Sequence, residues 1–391
     1  MATLNRVLIL SVSVGAGHMR AATAVKSAIL ELNPQAEVTV LDTFRYTNPF
    51  WDKMLFNTYI EILKATPLFY GYLYHLAEKE RPLSSVAREE FNNVLNKFAA
   101  PKLIRFLSMY RPQVVVCTHP FPLGVLDKLK GQGCFTEPVV VTLTDFIVHP
   151  FWVSPRVDLF SVAAEELKFS FKEYGIDMGR VCACGIPVDP CFADPVDRLA
   201  VQAGLSLNPG KKTVLIVGGS LGMGPLADIV KALGNSSVPC QMIVVTGYND
   251  SLRTKLERMV PGLSNPVKVL GFVSNMHELM SVSDFMIGKA GGLTCAEALA
   301  KGLPVFIVDP IPGQEVRNAE FLSGAGAALL MSSVKELVQK VEEYISEPWR
   351  LQEMSVVAAR LGKPRAARSI AGMIESLVGS DCKLKIGNWK F

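Results

Sequence analysis

Short runs of β-branched residues alternate with longer helical patterns along almost the whole chain. In the first half, helical stretches separate or follow the runs RVLILSV, EVTVLD, QVVVCT, PVVVTLT and DLFSVA. Runs of this kind have no polar face, which is typical of strands that are covered on both sides. Their alternation with helices predicts a parallel sheet flanked by helices on both faces, so we assign the fold class α/β.

The alternation stops once and then starts again, which predicts two domains. The interruption is GIPVDPCFADPVDRLAVQAGLSLNPGKK, residues 185–212, a segment rich in proline and glycine in which we place the boundary around Pro187–Lys211. The chain of 391 residues suits two domains of roughly 150–200 residues each. We predict an N-terminal domain over 1–187, a linker over 188–211 and a C-terminal domain over 212–391, whose last helices pack back toward the N-terminal domain.

The composition argues against several classes of protein. Hydrophobic residues make up 49% of the chain, and its longest apolar runs are far shorter than the roughly 18–20 residues that span a bilayer. The formal net charge of +4 is too mild to indicate a nucleic-acid partner, although it suits an anionic membrane surface or a phosphorylated ligand. The eight cysteines lack paired zinc spacing, and we expect them to be thiols in a reducing cytoplasm.

The most informative segment is DFMIGKAGGLTCAEALAKGLPVFIVDPIPGQEVRNAEFL, residues 284–322. A strand ends at Gly288, a glycine pair at Gly291 and Gly292 turns the chain, and a helix opens at about Leu293. Glycine lets main-chain N–H groups approach a ligand closely, and the first turn of a helix has unpaired donors at the positive end of its dipole. We therefore predict an anion site here, most simply for a diphosphate.

Two further features support a nucleotide-diphosphate site. Glu297 lies one turn further along the same helix, where its carboxylate could accept hydrogen bonds from the two hydroxyls of a ribose; a solvated glutamate at a helix start is the plainer alternative. The stretch VLIVGGSLGMG, residues 214–224, is a second strand, tight turn and helix start. In it Ser220 follows Gly219 and could donate a hydrogen bond to a phosphate. Both turns are expected at the carboxyl edge of one sheet.

Taken in order, several motifs resemble the glycosyltransferases of family 28. They are GAGHMRAA, THPF, TDF and GIPV in the first half, then GGS, GFV, GKAGGLTCAEALAKGLP and PGQEVRNAEFL, so the resemblance covers about residues 6–325. This family includes monogalactosyldiacylglycerol synthases, processive diacylglycerol glucosyltransferases and the N-acetylglucosaminyltransferase of peptidoglycan lipid intermediates, and the diacylglycerol subgroup fits better. The resemblance implies a GT-B fold, in which two Rossmann-like, doubly wound domains face each other across a cleft.

The resemblance implies donor-binding roles for residues of the second half. Main-chain groups of Phe272 and Val273 would meet uracil, Lys289 would lie near the base, and Gln314 and Glu315 would read sugar hydroxyls. Ribose would bind Glu297, and the diphosphate would be held by Gly291, Gly292, Leu293 and Thr294.

The stretch SVSVGAGHMR places His18 at a glycine turn. A dinucleotide fingerprint needs a third small residue for close packing of helix and strand, and Arg20 stands in that position. Asp42, which ends the second strand, keeps the dinucleotide reading open as a minor alternative.

In family 28 this turn faces the acceptor, so the resemblance places Gly17 and His18 on the acceptor side. The positive end of the helix dipole would keep His18 neutral and able to accept a proton near pH 7. His18 is our candidate for the general base, or for a group that positions the acceptor hydroxyl. Asp145 is a rival base or orients His18, and His149 lies close to it in sequence.

The implied reaction is an inverting, in-line transfer of glucose or galactose from a UDP-sugar to diacylglycerol. The base takes the proton of the acceptor hydroxyl, while the helix end carries the charge that develops on the departing UDP. No Asp-X-Asp pair or His/Asp cluster indicates a bound cation. We therefore expect no essential metal and no cofactor, with the UDP-sugar as co-substrate.

Residues 44–74 hold ten of the chain's 33 aromatic residues. Aromatic and cationic side chains on short amphipathic helices suit the headgroup boundary of a bilayer, although a core or dimer helix pair is the alternative. For a lipid acceptor we expect a peripheral protein at the cytoplasmic face of a membrane. The membrane-facing insertion would span 44–80, with contacts from Phe50, Trp51, Phe56, Tyr59, Phe69 and Tyr70.

Other functions fit parts of this pattern. An isomerase of the non-hydrolysing UDP-N-acetylglucosamine 2-epimerase type shares the two-domain architecture but needs no membrane-facing segment. A transferase that acts on another lipid-linked acceptor is a second alternative. A catalytically idle nucleotide-sugar sensor is disfavoured by the presence of His18 and Glu297.

Overall fold

The computed structural model describes residues 4–13, 16–47 and 101–379, and they form two units. The first unit comprises the chain up to Pro190 and again from Arg365 onward, and the second comprises Cys191–Pro364. Most of the segment that we expected as a linker, residues 191–211, therefore belongs to the second unit, where it forms a short helix. The predicted membrane contacts Phe50, Trp51, Phe56, Tyr59, Phe69 and Tyr70 lie outside the described residues.

Each unit contains one six-stranded parallel sheet, as the alternating pattern predicts. The first sheet has the order β2-β1-β3-β4-β5-β6, and the second has the order β12-β11-β10-β7-β8-β9, which is the Rossmann order. The strands are β1 Arg6–Ser11, β2 Glu37–Asp42, β3 Val114–Cys117, β4 Val139–Thr142, β5 Leu159–Ser161, β6 Val181–Cys182, β7 Lys212–Val217, β8 Cys240–Val245, β9 Val267–Leu270, β10 Phe285–Gly288, β11 Val305–Val308 and β12 Ala328–Met331.

Helices connect the strands and cover the sheets. The α-helices are α1 Ala16–Leu32, α2 Thr43–Thr47, α3 101–110, α4 Pro120–Gly131, α5 Lys168–Glu173, α6 Arg198–Gly204, α7 Leu226–Gly234, α8 Asp250–Met259, α9 Met276–Ser281, α10 Gly292–Ala300, α11 Gln314–Gly324, α12 Val334–Ser346, α13 Pro348–Leu361 and α14 Ala366–Gly379. Short 3-10 turns lie at Pro150–Trp152, Glu165–Leu167, Met178–Arg180, Pro190–Ala193 and Val260–Gly262. None of the helices in the described ranges combines the length and hydropathy needed to cross a bilayer.

The core of the first unit joins its sheet to α1 and α14. The buried face of α1 repeats at helical spacing, with Ala22, Val25 and Ile29 turned toward the sheet. Ile370 of α14 packs in the same cluster, and Arg368 Nε lies 2.7 Å from the Glu31 carboxylate at its edge. The last helix therefore belongs to the first unit, whereas α12 and α13 belong to the second.

The parallel arrangement decides where functional residues gather. In a parallel sheet, all strands end at the same edge, so the loops after neighbouring strands are neighbours. The loops after β1, β3 and β4 meet in the first unit, and those after β7, β8, β9, β10 and β11 meet in the second. We describe these two edges separately.

Candidate functional sites

The edge of the first sheet brings together the residues around His18. Gly17 and His18 lie in the first turn of α1, which follows β1. Thr118 and His119 follow β3, and Thr144 and Asp145 follow β4. Because β3 lies between β1 and β4, these three loops are adjacent. We call His18, Thr118, His119, Thr144 and Asp145 the histidine cluster.

Two threonines from distant parts of the chain hold the ring of His18. Its Nδ1 lies 2.9 Å from the main-chain oxygen of Thr118 and 3.0 Å from the hydroxyl oxygen of Thr144. The Thr118 hydroxyl donates to the main-chain oxygen of His18 at 3.1 Å. A carbonyl oxygen can only accept, so Nδ1 carries a proton and Nε2 holds the lone pair of the neutral ring. This is the nitrogen that could accept a proton from a substrate.

The pKa of His18 is lowered from its ordinary value, which favours the neutral ring. Burial is the largest cause, and it is opposed by the charge of Asp145 and by the hydrogen bond to Thr118. The direction agrees with a proton acceptor near neutral pH. The dominant cause is burial rather than the helix dipole that we invoked from sequence.

His119 is a member of the cluster that our sequence analysis did not select. Its ring meets that of His18 edge to face, with the ring centroids 4.6 Å apart. Its Nδ1 accepts a hydrogen bond from the main-chain N–H of Phe121 at 3.1 Å, which caps α4. The available signal was the THPF motif, because a polar residue directly before a proline is typical of a helix start.

Asp145 and His149, the other two predicted residues of this edge, play different parts in the structure. Asp145 is buried and its charge raises the pKa of His18, so it acts on the ring electrostatically. His149 caps the turn Pro150–Trp152, where its Nδ1 accepts from the Phe151 N–H at 3.3 Å. That turn brings the Trp152 ring to 6.4 Å from the ring of His18, measured between centroids.

At the edge of the second sheet, α10 begins without a side-chain cap. Gly291 is its N-cap residue, and no side chain of the described residues caps the helix there. The first helical bond runs from the Cys295 N–H to the Gly291 oxygen at 2.9 Å. The N–H groups of the first turn therefore have no partner within the helix. A Cβ atom placed on Gly291 would have no neighbour within 4 Å, so there is open space beside this residue, whereas Gly292 and Leu293 are buried.

The glycine loop after β7 lies beside this helix start. Gly219, Gly222 and Gly224 have positive φ values of 68°, 57° and 101°, a backbone region that other residues rarely adopt. A Cβ on Gly224 would lie 3.5 Å from Cε of Lys289, so the lysine borders the loop. The main-chain oxygen of Ser220 accepts from the Tyr248 N–H at 2.8 Å, which fixes the loop against the segment after β8. We call the loop 218–225 and the turn 289–294 the glycine turns.

Glu297 lies inside α10 and is only 2% exposed. This excludes the solvated glutamate that was the plain alternative from sequence. Burying a carboxylate costs free energy unless hydrogen-bond donors or an opposite charge accompany it. Solubility therefore does not explain why Glu297 lies under the helix start.

The segment after β9 presents an aromatic surface. Phe272 stacks on Tyr248 with the ring centroids 4.5 Å apart and the planes 12° from parallel. Both rings are exposed, at 57% and 64% of their surface. The sequence resemblance assigned only main-chain groups of Phe272 and Val273 to a base, and nothing in it pointed to Tyr248.

At the start of α11, one of the two predicted sugar-reading residues also braces the backbone. Glu315 Oε2 accepts from the Ile311 N–H at 2.8 Å, across the turn that leads into the helix. Asn318, which is fully buried, donates to the main-chain oxygen of Ala290 at 3.0 Å and ties α11 to the start of α10. Gln314 is the first residue of α11.

No group of three metal-ligating side chains comes together within residues 4–13, 16–47 and 101–379. That the reaction needs no metal stays a prediction.

Solved structures share the fold of the whole chain at low sequence identity. MurG of Acinetobacter baumannii is 17% identical, with a TM-score of 0.61 over 95% of this chain and 99% of that one. HepE of Anabaena in complex with UDP is 16% identical, with a TM-score of 0.54 over 95% and 100%. A protein of Listeria monocytogenes assigned as a UDP-N-acetylglucosamine 2-epimerase is 13% identical, with a TM-score of 0.57 over 97% of both chains. The molecule has an α/β, two-domain, Rossmann-like GT-B fold, as predicted.

Family models and similar proteins indicate to which family of GT-B proteins the chain belongs. The model of monogalactosyldiacylglycerol (MGDG) synthase matches residues 18–188, and that of the glycosyltransferase family 28 C-terminal domain matches residues 213–370. A processive diacylglycerol beta-glucosyltransferase of Bacillus subtilis (strain 168) is 29% identical over 357 residues, which cover 90% of each chain. These two matches, separated by residues 189–212, together cover most of the chain and place this protein in glycosyltransferase family 28.

Proposed function

We propose that the protein is an inverting hexosyltransferase that moves glucose or galactose from a UDP-sugar to diacylglycerol. The observation that carries the donor half is the uncapped start of α10, with the buried carboxylate of Glu297 one turn beneath it. Helix N-termini bind phosphate groups through free N–H groups and the helix dipole. The UDP bound to HepE and the diacylglycerol named for the Bacillus relative support this choice of donor and acceptor.

The first unit would supply the base. Neutral His18 holds its lone pair on Nε2, and the two threonines hold the ring through Nδ1. In the transfer, the hydroxyl of the acceptor gives its proton to Nε2 as its oxygen bonds to the anomeric carbon from the face opposite UDP. The bond from that carbon to the UDP oxygen breaks, and the electron pair leaves on UDP. Preorganised donors at the start of α10 would stabilise this charge.

The test is incubation with UDP-glucose, UDP-galactose or UDP-N-acetylglucosamine in vesicles that contain diacylglycerol, followed by mass analysis of the lipids and by proton NMR of the anomeric centre and of the recovered nucleotide sugar. We expect a hexosyl diacylglycerol from at least one donor, of inverted anomeric configuration, in amounts unchanged by a metal chelator. The His18→Ala protein is the blank. Interconversion of UDP-N-acetylglucosamine without lipid product would replace the proposal with the epimerase alternative, whose fold this chain shares. Product on a different lipid-linked acceptor would retain the transferase and change the substrate.

We also propose that the protein binds an anionic membrane surface as a peripheral protein, at the cytoplasmic face. Within the described residues, α3 carries an exposed face with Lys102, Arg105 and Met109, the last of these 73% exposed. Cations and apolar side chains together suit the headgroup region. Met109→Ser should weaken sedimentation with anionic vesicles, whereas Leu199→Ser, an equally exposed residue of the second unit, should not. Equal binding by both variants would remove α3 from the membrane contact.

A further inference from the structure

His18 and His119 touch, and their hydrogen bonds give them opposite tautomers. The planes of the two rings are nearly perpendicular, at 82°. Nδ1 of His18 faces a carbonyl oxygen and therefore carries a proton, which leaves the lone pair on Nε2. Nδ1 of His119 accepts from a main-chain N–H, so it holds a lone pair, and the neutral ring carries its proton on Nε2. His18 can thus accept a hydrogen bond at its Nε2, and His119 can donate one from its own Nε2.

The surroundings keep both rings neutral. Burial lowers the pKa of His119 well below its ordinary value, and a positive charge on His18 would lower it further. Burial also lowers the pKa of His18, against the opposing effects of Asp145 and Thr118. Among the residues that the structure describes, two aromatic rings also approach the pair, namely Phe44 beside His119 and Trp152 beside His18. The acceptor and donor characters are therefore retained together near neutral pH.

We propose that His119 is a substrate-binding residue, whose Nε2–H donates a hydrogen bond to the same hydroxyl oxygen that gives its proton to Nε2 of His18. The inference rests on the proposed function and deepens it. A hydroxyl group is the chemical class that fits this pair, because it donates one hydrogen bond and accepts others. The bond from His119 would orient the oxygen as its proton moves to His18. His119 keeps its own proton throughout, so the transfer needs no further group.

The competing explanation is that His119 serves only as the cap of α4. Asparagine and serine are good caps because their side-chain oxygens accept the same main-chain N–H. Neither can place an N–H donor where the imidazole Nε2 stands. His119→Asn and His119→Ser therefore separate the two explanations.

The first experiment measures the tautomers of the full-length protein by nitrogen NMR with isotope-labelled histidine. A ring nitrogen with a proton and one without give well-separated signals. We expect a protonated Nδ1 in His18 and a protonated Nε2 in His119, assigned with His18→Gln and His119→Asn. The same tautomer in both rings, or a charged ring at pH 7, overturns the proposal, whatever reaction the protein catalyses.

The second experiment measures kcat/KM for dioctanoylglycerol in both His119 variants. We expect a fall of about 10- to 100-fold, the size of losing a hydrogen bond to a reacting group, with unchanged UDP affinity and thermal midpoint. His277→Asn, a histidine of the second unit, is the control that should keep full activity. Activity within about twofold of the wild type in a folded His119 variant would reduce the residue to a helix cap.

The two proposals fail in different ways. If the wild-type protein transfers no sugar, the proposed function fails, and a titration with dioctanoylglycerol without donor still tests the contact. In that titration the Nε2 signals of both rings should shift together. Signals that do not move at saturating lipid overturn the role of His119.

Discussion

The histidine cluster and the glycine turns differ in the groups that they present: side chains in the cluster and main-chain N–H groups in the turns. In the cluster, the proposed function lies in side chains, and the ring of His18 is held by Thr118 and Thr144, which lie 100 and 126 residues away along the chain. In the glycine turns, the proposed function lies in main-chain N–H groups, which lie beside glycines of the same short segment. A substitution in the cluster should therefore change chemistry with little effect on donor binding. A substitution in the turns should change donor binding and local stability.

The strongest test of this contrast removes the imidazole of His18. His18→Ala should lower transfer by about 10²- to 10⁴-fold, the usual size for losing a general base. Affinity for UDP, measured by calorimetry, should stay the same because the residues proposed to bind the nucleotide lie in the other unit. The His277→Gln protein serves as the control. Retained turnover would dismiss His18 as the base and would bring Asp145 forward.

The next test replaces one glycine of the glycine turns with alanine. Gly222 has a φ of 57°, and a Cβ there would lie 2.5 Å from the main-chain oxygen of Thr246. Gly222→Ala should lower the free energy of unfolding by about 2–4 kcal/mol, because backbone strain and overpacking add. UDP should bind more weakly because the loop must move.

Gly175 is the matched control for Gly222. It has a φ of 70° and nothing within 4 Å of an added Cβ, so Gly175→Ala carries the strain alone. Denaturant unfolding of both variants gives the comparison. Equal losses would mean that close packing around Gly222 does not matter.

A smaller effect is expected for the carboxylate under the helix start. Glu297→Gln keeps the shape of the side chain but removes its charge, and UDP affinity should fall by about 1–3 kcal/mol if the ribose hydroxyls donate to it. Deoxyuridine diphosphate, which lacks one of those hydroxyls, should lose less affinity in the variant than UDP does. Unchanged UDP affinity would move the ribose elsewhere and leave Glu297 as a buried structural group.

The smallest effect concerns stability at acid pH. His18 and His119 have pKa values below the ordinary 6.5 in the folded protein, so the unfolded chain binds more protons as the pH falls through 6.5. The free energy of unfolding should therefore decrease below that pH, by at most about 1.4 kcal/mol per pH unit for each histidine. His119→Asn should flatten this slope in urea titrations. An unchanged slope would show that burial of His119 does not hold it neutral.

The comparison also explains which predictions succeeded. The glycine turns could be found because strand end, glycine and helix start lie within about ten residues, and the restart of the alternating pattern gave two parallel sheets. The predicted linker differs from the observed division, because residues 191–211 fold into the second unit, whereas α14 packs on α1 of the first unit, which is the behaviour we expected of the chain's last helices.

The histidine cluster could not be predicted in full from short sequence motifs. His18 was selected from its own turn, but His119, Thr118 and Thr144 become its neighbours only because β3 lies between β1 and β4 in the sheet. Strand order depends on how crossovers pack over the whole unit, and no short motif encodes it. The burial of Glu297 is of the same kind, since a helix start looks alike whether it faces solvent or protein.

The amino-acid sequence by itself determined the fold class and the two sheets and predicted the main-chain anion site, because each depends on periodicity or on a glycine at a turn. The tertiary structure alone decided which nitrogen of each histidine carries its proton and that Glu297 is buried. Those properties depend on contacts between distant segments, and hydrogen-bond direction and desolvation exist only once these segments have packed.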